Sequence, residues 1–208
     1  MKEYHKIQSL FKRDMENKGR ILIGEYSRPE FEFLKNCQWH FTEKIDGMNI
    51  RVMLKDGQVS FAGKSDNASL HPDLFKYLQS TFTAEKLIAA IPDCPEVCLY
   101  GEGYGAGIQK GGKYRADKSF ILFDVKIGEW WLGWESVLDI SQKLGIDIVP
   151  DLQCGTLDDL VTRVKAGVKS FFGDFEAEGI VAKPKTVLFN NKKERIITKL
   201  KTCDFVER

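Results

Sequence analysis

Asn49-Ile50-Arg51-Val52-Met53-Leu54-Lys55-Asp56-Gly57-Gln58-Val59-Ser60-Phe61 is the stretch whose reading decides the fold. Residues 49–54 alternate, so Ile50, Val52 and Leu54 share one face of an extended strand. Asp56-Gly57 then supplies a two-residue turn, and Val59 and Phe61 continue on a returning strand. An antiparallel hairpin is predicted. Outward from it, short extended pieces alternate with helical stretches. Residues 97–100 and 119–125 read as buried strands, and residues 179–183 and 195–201 as two more. Leu74, Phe75, Leu78 and Phe82 mark a helix after Pro72, and Val137, Leu138, Ser141 and Leu144 another. Thr156 reads as an N-cap with Asp159 three residues on, ahead of the apolar stripe Leu157, Leu160, Val161 and Val164. Residues 1–20 read as helical from the spacing of Ile7, Leu10 and Phe11. Hairpins with interspersed helices predict an α+β fold with mostly antiparallel sheet.

The bulk numbers fit a soluble globular chain. Of 208 residues, 43% are hydrophobic and 29% charged, enough for one compact core and too balanced for a disordered or fibrous class. No apolar run approaches a membrane span, and residues 1–6 lack the apolar core of a secretory signal, so a cytoplasmic setting is expected. Cys37, Cys94, Cys98, Cys154 and Cys203 are odd in number and scattered, which predicts free thiols rather than a disulfide framework or a zinc site. A net charge of +1 argues against nonspecific coating of a polyanion but leaves room for a local basic face, most visibly across residues 190–201.

Immediately before the hairpin stands Glu43-Lys44-Ile45-Asp46-Gly47, which can present an amine at a strand end. On its own it reads as a solvated turn. Gly63-Lys64-Ser65 follows the hairpin. It does not complete a P-loop, because Gly57 to Gly63 encloses five residues where that motif needs four. Tyr100-Gly101-Glu102-Gly103-Tyr104-Gly105 has alternating glycines, but it runs into the loop at Gly111-Gly112 rather than a helix, which excludes a dinucleotide fingerprint. Glu102 at a strand end, flanked by glycines that let backbone pass close to a ligand, is the better reading. Lys199 and Lys201 are two apart on a strand, so both leave the same face. As an isolated pair they would be a solvated edge.

Taken in order, Lys44-Ile45-Asp46-Gly47, Gly63-Lys64-Ser65, Tyr100-Gly101-Glu102-Gly103, Phe120-Ile121-Leu122-Phe123-Asp124-Val125, Glu178-Gly179-Ile180-Val181-Ala182-Lys183 and Lys199-Leu200-Lys201 resemble motifs I, Ia, III, IIIa, IV and V of the covalent nucleotidyltransferases, the superfamily of polynucleotide ligases and mRNA capping enzymes. Residues 43–49 and 108–112 look most like the nick-sealing, RNA-repair branch of RNA ligases. Asp46 departs from the His that many of that branch carry and matches the wider superfamily.

The resemblance implies an ATP-grasp-like nucleotidyltransferase domain of mostly antiparallel sheets flanked by helices, with the nucleotide in the cleft between sheets. One adenylyltransferase domain over residues 1–208 is expected, without an OB or other C-terminal domain. It implies ATP and Mg²⁺ (or Mn²⁺) as cofactors, RNA 5′-phosphate and 3′-OH ends as partners with DNA as the alternative, no membrane, and a monomer. Lys44 would attack the ATP α-phosphate. An ordinary lysine, with a pKa of about 10.4, is protonated near neutral pH, and neighbouring cations favour the neutral amine. Lys199 and Lys201 would hold the α-phosphate as charge builds. The wider ATP-binding set is Glu43, Lys44, Ile45, Asn49, Lys64, Glu102, Phe123, Glu178, Lys199 and Lys201. In it Lys64 meets the phosphate region, Glu102 a ribose hydroxyl and Phe123 the adenine face, while Glu43 reads the adenine edge and Asn49 orients phosphates. Phe123 has a second reading as simple core. Asp46, Glu178 and Asp124 are the expected metal carboxylates, acting through water. Two rivals stay open: a minimal DNA ligase core, separable by sealing of ribose against deoxyribose nicks, and a nucleic-acid binding module with a degenerate ligase fold, separable by covalent labelling with ATP.

Overall fold

The computed structural model describes residues 3–205. The chain runs through β1 (Gln8–Ser9), β2 (Phe11–Asp14), β3 (Arg20–Tyr26), α1 (Pro29–Phe33) and β4 (Trp39–Glu43). It continues through β5 (Met48–Lys55), β6 (Gln58–Ala62), α2 (Pro72–Thr81), α3 (Ala84–Ala90), β7 (Glu96–Tyr104), β8 (Ser119–Ile127), β9 (Trp130–Trp131), α4 (Trp134–Leu144) and β10 (Asp147–Ile148). It closes with β11 (Asp151–Gly155), α5 (Leu157–Lys165), β12 (Gly179–Pro184) and β13 (Thr198–Lys201). The α+β, mostly antiparallel expectation holds. Two compact units form: one from Lys6–Lys44 and the chain from Pro150 onward, the other from the chain up to His5 and Ile45–Val149.

The first unit is built on a five-stranded sheet in the order β1-β13-β12-β4-β11, with the β2-β3 hairpin beside it in sequence. Trp39, Phe41, Ile180, Ala182 and Leu200 point to one face and are buried there with Leu157, Leu160 and Val164 of α5. Helix α5 starts where the sequence places its cap. The Asp159 backbone N–H donates to Thr156 Oγ1 at 3.2 Å, and the Thr156 N–H donates back to the Asp159 carboxylate at 2.8 Å. The predicted helix over residues 1–20 is corrected from Glu3 onward (residues 1–2 lie outside the described residues). That segment is extended: Gln8 and Ser9 pair in parallel with Thr198 and Lys199, and Phe11 opposes Tyr26. The spacing of Ile7, Leu10 and Phe11 fits a helix, and pairing with distant strands overrides it. The segment's backbone groups find partners on β13, out of reach of any local reading.

The second unit is a six-stranded sheet, β10-β8-β7-β5-β6 with β9 on β8. The predicted hairpin is β5-β6, with Asp56 at φ 51° and Gly57 at φ 74°, the left-handed pair of a type I′ turn. Ile50, Val52, Leu54, Val97 and Leu99 face a core closed by α2, α3 and α4. A bulge interrupts β7-β8: Tyr100 pairs with Asp124 and Gly101 with Leu122, so Phe123 is the extra, unpaired residue. All five cysteines are free. Cys98 is buried, and burial pushes its thiol up to about 11, against a role as thiolate ligand. Among the described residues no helix is long and apolar enough to cross a membrane.

Leu160 is fully buried between α5 and the sheet. Leu160→Ala is expected to lower unfolding free energy by about 2–5 kcal/mol, through lost burial and the cavity left behind. Urea unfolding measures this, and a loss under 1 kcal/mol would refute the packing described.

Candidate active site

Lys44 follows directly on β4, and its backbone N–H donates to the Gly179 carbonyl at 2.9 Å. Strand β12 lies between β4 and β13, so its start has a neighbour on each side: Ile180, its second residue, pairs with Glu43 and with Leu200. Glu178, one residue before β12, is thereby set between Lys44 and Lys201. Its Oε2 accepts from Lys44 Nζ at 2.6 Å and its Oε1 from Lys201 Nζ at 2.7 Å. The side chains are largely but not fully covered, at 20% exposure for Lys44 and 17% for Glu178. Gly179 is required here. A Cβ on it would lie 2.1 Å from the Leu200 carbonyl oxygen, so no other residue lets β13 come this close to Glu178.

Lys199 and Lys201 share a face of β13, as their spacing predicts. No hydrogen bond or ion pair engages Lys199 Nζ among the described residues. Its ammonium is held below the ordinary lysine range, first by burial and then by the charges of Lys44 and Lys201. Burial also acts against the charged forms of Glu178 and Lys201, but their mutual pairing and the Lys44 charge outweigh it. Glu178 stays below the usual carboxylate range and Lys201 above the usual ammonium range. Three ammoniums against one carboxylate leave this face positive, and an arriving anion supplies what the group lacks.

Glu43, the neighbour of Lys44, does something else. It is 1% exposed, and its two carboxylate oxygens accept from Ser170 Oγ at 2.6 Å and the Phe171 N–H at 2.9 Å. It pins the 170–171 loop to the end of β4, so its carboxylate is engaged within the protein rather than presented to an adenine edge.

The other predicted residues belong to the second unit. Ile45 is buried. The Asp46 N–H donates to Tyr114 Oη at 3.2 Å, and no hydrogen bond or ion pair engages its carboxylate among the described residues. Asn49 and Glu102 are directly opposite one another on β5 and β7, on the face away from the core. The Asn49 amide oxygen is buried there without a hydrogen-bond partner among the described residues. The glycines flanking Glu102 have a different reason from the one expected. A Cβ on Gly101 would strike the Phe120 ring at 2.2 Å, and one on Gly103 would strike Leu74 at 2.6 Å. They make room for the core behind the strand, not for a ligand in front of it. Phe123, the bulge residue, is half-buried with its ring 5.0 Å from that of Tyr4. Asp124 is fully buried and accepts from Tyr4 Oη at 2.8 Å. Lys64 is exposed, on a loop held by a residue the sequence reading passed over. Arg51, fully buried, donates from Nε to the Gly63 carbonyl at 3.0 Å and from Nη2 to Asp66 at 2.6 Å. The signal was present: an arginine in an otherwise apolar run of a central strand needs a buried partner. Tyr4 was missed because the segment carrying it was read as helix.

The sequence profile of the family described as RNA ligase matches residues 38–201, most of the chain and every motif above. The chain belongs to the RNA ligase family. No curated protein matches it. Among solved structures, it is similar to the RNA ligase of Naegleria gruberi. A mutant with ATP and manganese superposes with a TM-score of 0.69 at 17% identity over 97% of this chain and 56% of that one. A mutant with AMP and manganese gives 0.66 at 18% over 96% and 57%, and the protein with pyrophosphate 0.65 at 19% over 96% and 57%. At that identity the likeness shows the RNA ligase fold alone. This chain spans little more than half the length of those proteins.

For a metal, the described residues of this RNA ligase family member form no cage: no three His, Cys, Asp or Glu side chains gather at one point. Of the three carboxylates expected to serve, Asp124 is buried beneath Tyr4 and Glu178 is engaged by two lysines, which leaves Asp46 accessible.

Because the Glu178 carboxyl is lowered by folding, its contribution to stability is present above its ordinary value of 4.5 and is lost as pH falls through the folded value. The stability gap between wild type and Glu178→Gln is expected to narrow from pH 7 to pH 3. Denaturant unfolding at both pH values measures it, and an unchanged gap would show that the carboxylate is not held ionised by the lysines.

Proposed function

We propose that the chain is an ATP-dependent RNA ligase that joins 5′-phosphate and 3′-OH ends through a lysyl-AMP at Lys44 and an adenylylated 5′ end. The observation that supports it most is the Glu178 carboxylate fixing the Lys44 and Lys201 amines within 2.7 Å, beside a half-buried Lys199 that no ion pair engages among the described residues. A lone surface lysine would have none of this company.

In the first step the Lys44 ammonium gives up a proton and its nitrogen attacks the α-phosphorus of ATP. The N–P bond forms, a second proton leaves the nitrogen, and the P–O bond to pyrophosphate breaks. Negative charge grows on the α-phosphate oxygens, where Lys201, held by Glu178, and Lys199 stand as donors. Glu178 sets the position of the nucleophile and of Lys201 together, so that both meet one phosphate without first being reordered. Next, an oxygen of the RNA 5′-phosphate displaces the Lys44 nitrogen from AMP and forms a phosphoanhydride. Last, the 3′-OH oxygen attacks the 5′-phosphorus and loses its proton to solvent, AMP departs with the electron pair of the broken P–O bond, and the phosphodiester remains.

This reading gives the nucleoside to Phe123, Glu102 and Asn49. Phe123 is supported by its place as the bulge residue, and Asn49 by its unpartnered buried amide oxygen. Lys64 is left to the incoming phosphates. The donors fit a divalent ion, Mg²⁺ or Mn²⁺, that arrives on the triphosphate and meets Asp46 through water, rather than one resident in the protein. Such an ion supplies neutralisation of phosphate charge.

Incubated with ATP and magnesium, the wild type is expected to gain the mass of one adenylyl group on the peptide carrying Lys44, and Lys44→Ala none. Lys199→Ala and Lys201→Ala should each slow this labelling by a factor of about 10². An adduct that persists in Lys44→Ala would end the proposal. Sealing of nicks with a 3′-terminal ribose but not deoxyribose would assign RNA over DNA.

A further inference from the structure

A second concentration of positive charge lies in the same unit as the lysine group, lined by none of the three lysines given to the reaction. The turn between β2 and β3 and the short 3-10 turn Thr202–Asp204 after β13 enclose a pocket lined by Arg13, Lys18, Arg20, Ile21, Cys203 and Asp204, with Asn17 and Gly19 at the turn. Its geometry is fixed from within. Asp14 Oδ1 accepts from the backbone N–H groups of Glu16 and Asn17 at 3.0 and 3.2 Å. Lys18 and Gly19 both adopt left-handed backbone, at φ 52° and 70°. Such a conformation is uncommon for lysine and fixes where its side chain starts. Arg13 forms one wall, donating from Nη1 to the Gly19 carbonyl at 2.9 Å and from Nη2 to Asp204 at 2.8 Å.

The lining is unbalanced. Asp204 is its one carboxylate, and that group is already shared between Arg13 and the Lys201 backbone N–H, which donates to it at 3.1 Å. Lys18 and Arg20 are exposed, and no ion pair engages either among the described residues. The positive face also continues into the lysine group. The Leu10 N–H donates to the Lys199 carbonyl at 3.0 Å where β1 leads into β2, and the Arg13 charge helps hold the Lys199 ammonium low.

We propose that this pocket is a phosphate subsite for the backbone of the RNA strand, next to the lysines that handle the reacting phosphate. It rests on the RNA ligase reading above and adds a place for a substrate phosphate that does not react. Cations in a lining that includes no aromatic ring can grip a phosphodiester but cannot stack on a base, which suits positioning without sequence preference. Neither Lys44, Lys199 nor Lys201 lines the pocket, so it is assigned to the polymer rather than to the triphosphate.

The test uses the full chain, Lys18→Gln with Arg20→Gln, and a 5′-phosphorylated RNA oligonucleotide. Labelling by ATP should match wild type. RNA binding should weaken roughly fivefold at 0.2 M salt, and the slope of log affinity against log salt should fall by about 1.4, two single-strand phosphate contacts at about 0.7 each. Cys203, exposed in the pocket wall, should alkylate more slowly with RNA present. Cys154, exposed on β11 at the far edge of the same sheet, should not change. Unchanged RNA affinity and salt slope in the double variant, or Cys203 as reactive with RNA as without, overturns the proposal. So does a fall in ATP labelling parallel to the fall in RNA binding, which would make the pocket a nucleotide subsite. If wild type binds RNA with Cys203 protected but takes no label from ATP, the subsite stands and the ligase mechanism fails.

Discussion

The arrangement turns on a single carboxylate shared by two amines. Without Glu178, Lys44, Lys199 and Lys201 would be three like charges at the end of one sheet, each favouring conformations that carry it away from the others. With it, two of them are fixed on opposite oxygens of one group. Partly exposed ion pairs contribute little to stability, so the value of this contact lies in position rather than in folding energy. It also leaves three amines with a single carboxylate among them, a net positive face.

What places Glu178 is strand order, and what fixes strand register is the core on the other side of the sheet. Trp39, Phe41, Ile180, Ala182 and Leu200 alternate with the polar face, so a slip of one residue would bury Lys199 and Lys201 and expose the apolar set. The hydrophobic pattern thus decides which way the lysines point. Gly179 then permits the final approach, since any side chain there would meet the Leu200 carbonyl.

Features whose cause is local were legible in the sequence. The β5-β6 hairpin follows from Asp56-Gly57, and the start of α5 from Thr156 and Asp159, because each turn or cap is made by residues within three positions of one another. The pairing of Lys199 with Lys201 followed from the two-residue period of a strand. Features made by distant partners were not legible. Nothing in residues 3–14 reveals that they pair with β13 or lay Tyr4 against Phe123 and Asp124. The bulge that singles out Phe123 is a property of two strands together and leaves no mark on either alone. The tryptophans divided: Trp131 packs on Tyr4 and Tyr100, whereas Trp130 is exposed.

The acids expected to act alike also divide, and solvent exposure is the reason. Glu43, Asp124 and Glu178 all sit beside motif residues, and a sequence offers no basis for ranking them. Glu43 and Asp124 are buried and hydrogen-bonded to neutral donors, Ser170 and Phe171 for the one and Tyr4 for the other. A carboxylate so placed holds backbone and rings in position, because removing a partner would leave a buried polar group unsatisfied at a cost of about 1–3 kcal/mol. Glu178 faces cations that remain partly open to solvent, and these can turn toward a phosphate while staying beside its oxygens. A carboxylate that can be replaced by substrate belongs to the reaction, and one that cannot belongs to the scaffold. By that criterion Glu178 is the exchangeable carboxylate of the three, while Glu43 belongs to the scaffold, holding the 170–171 loop from behind the sheet.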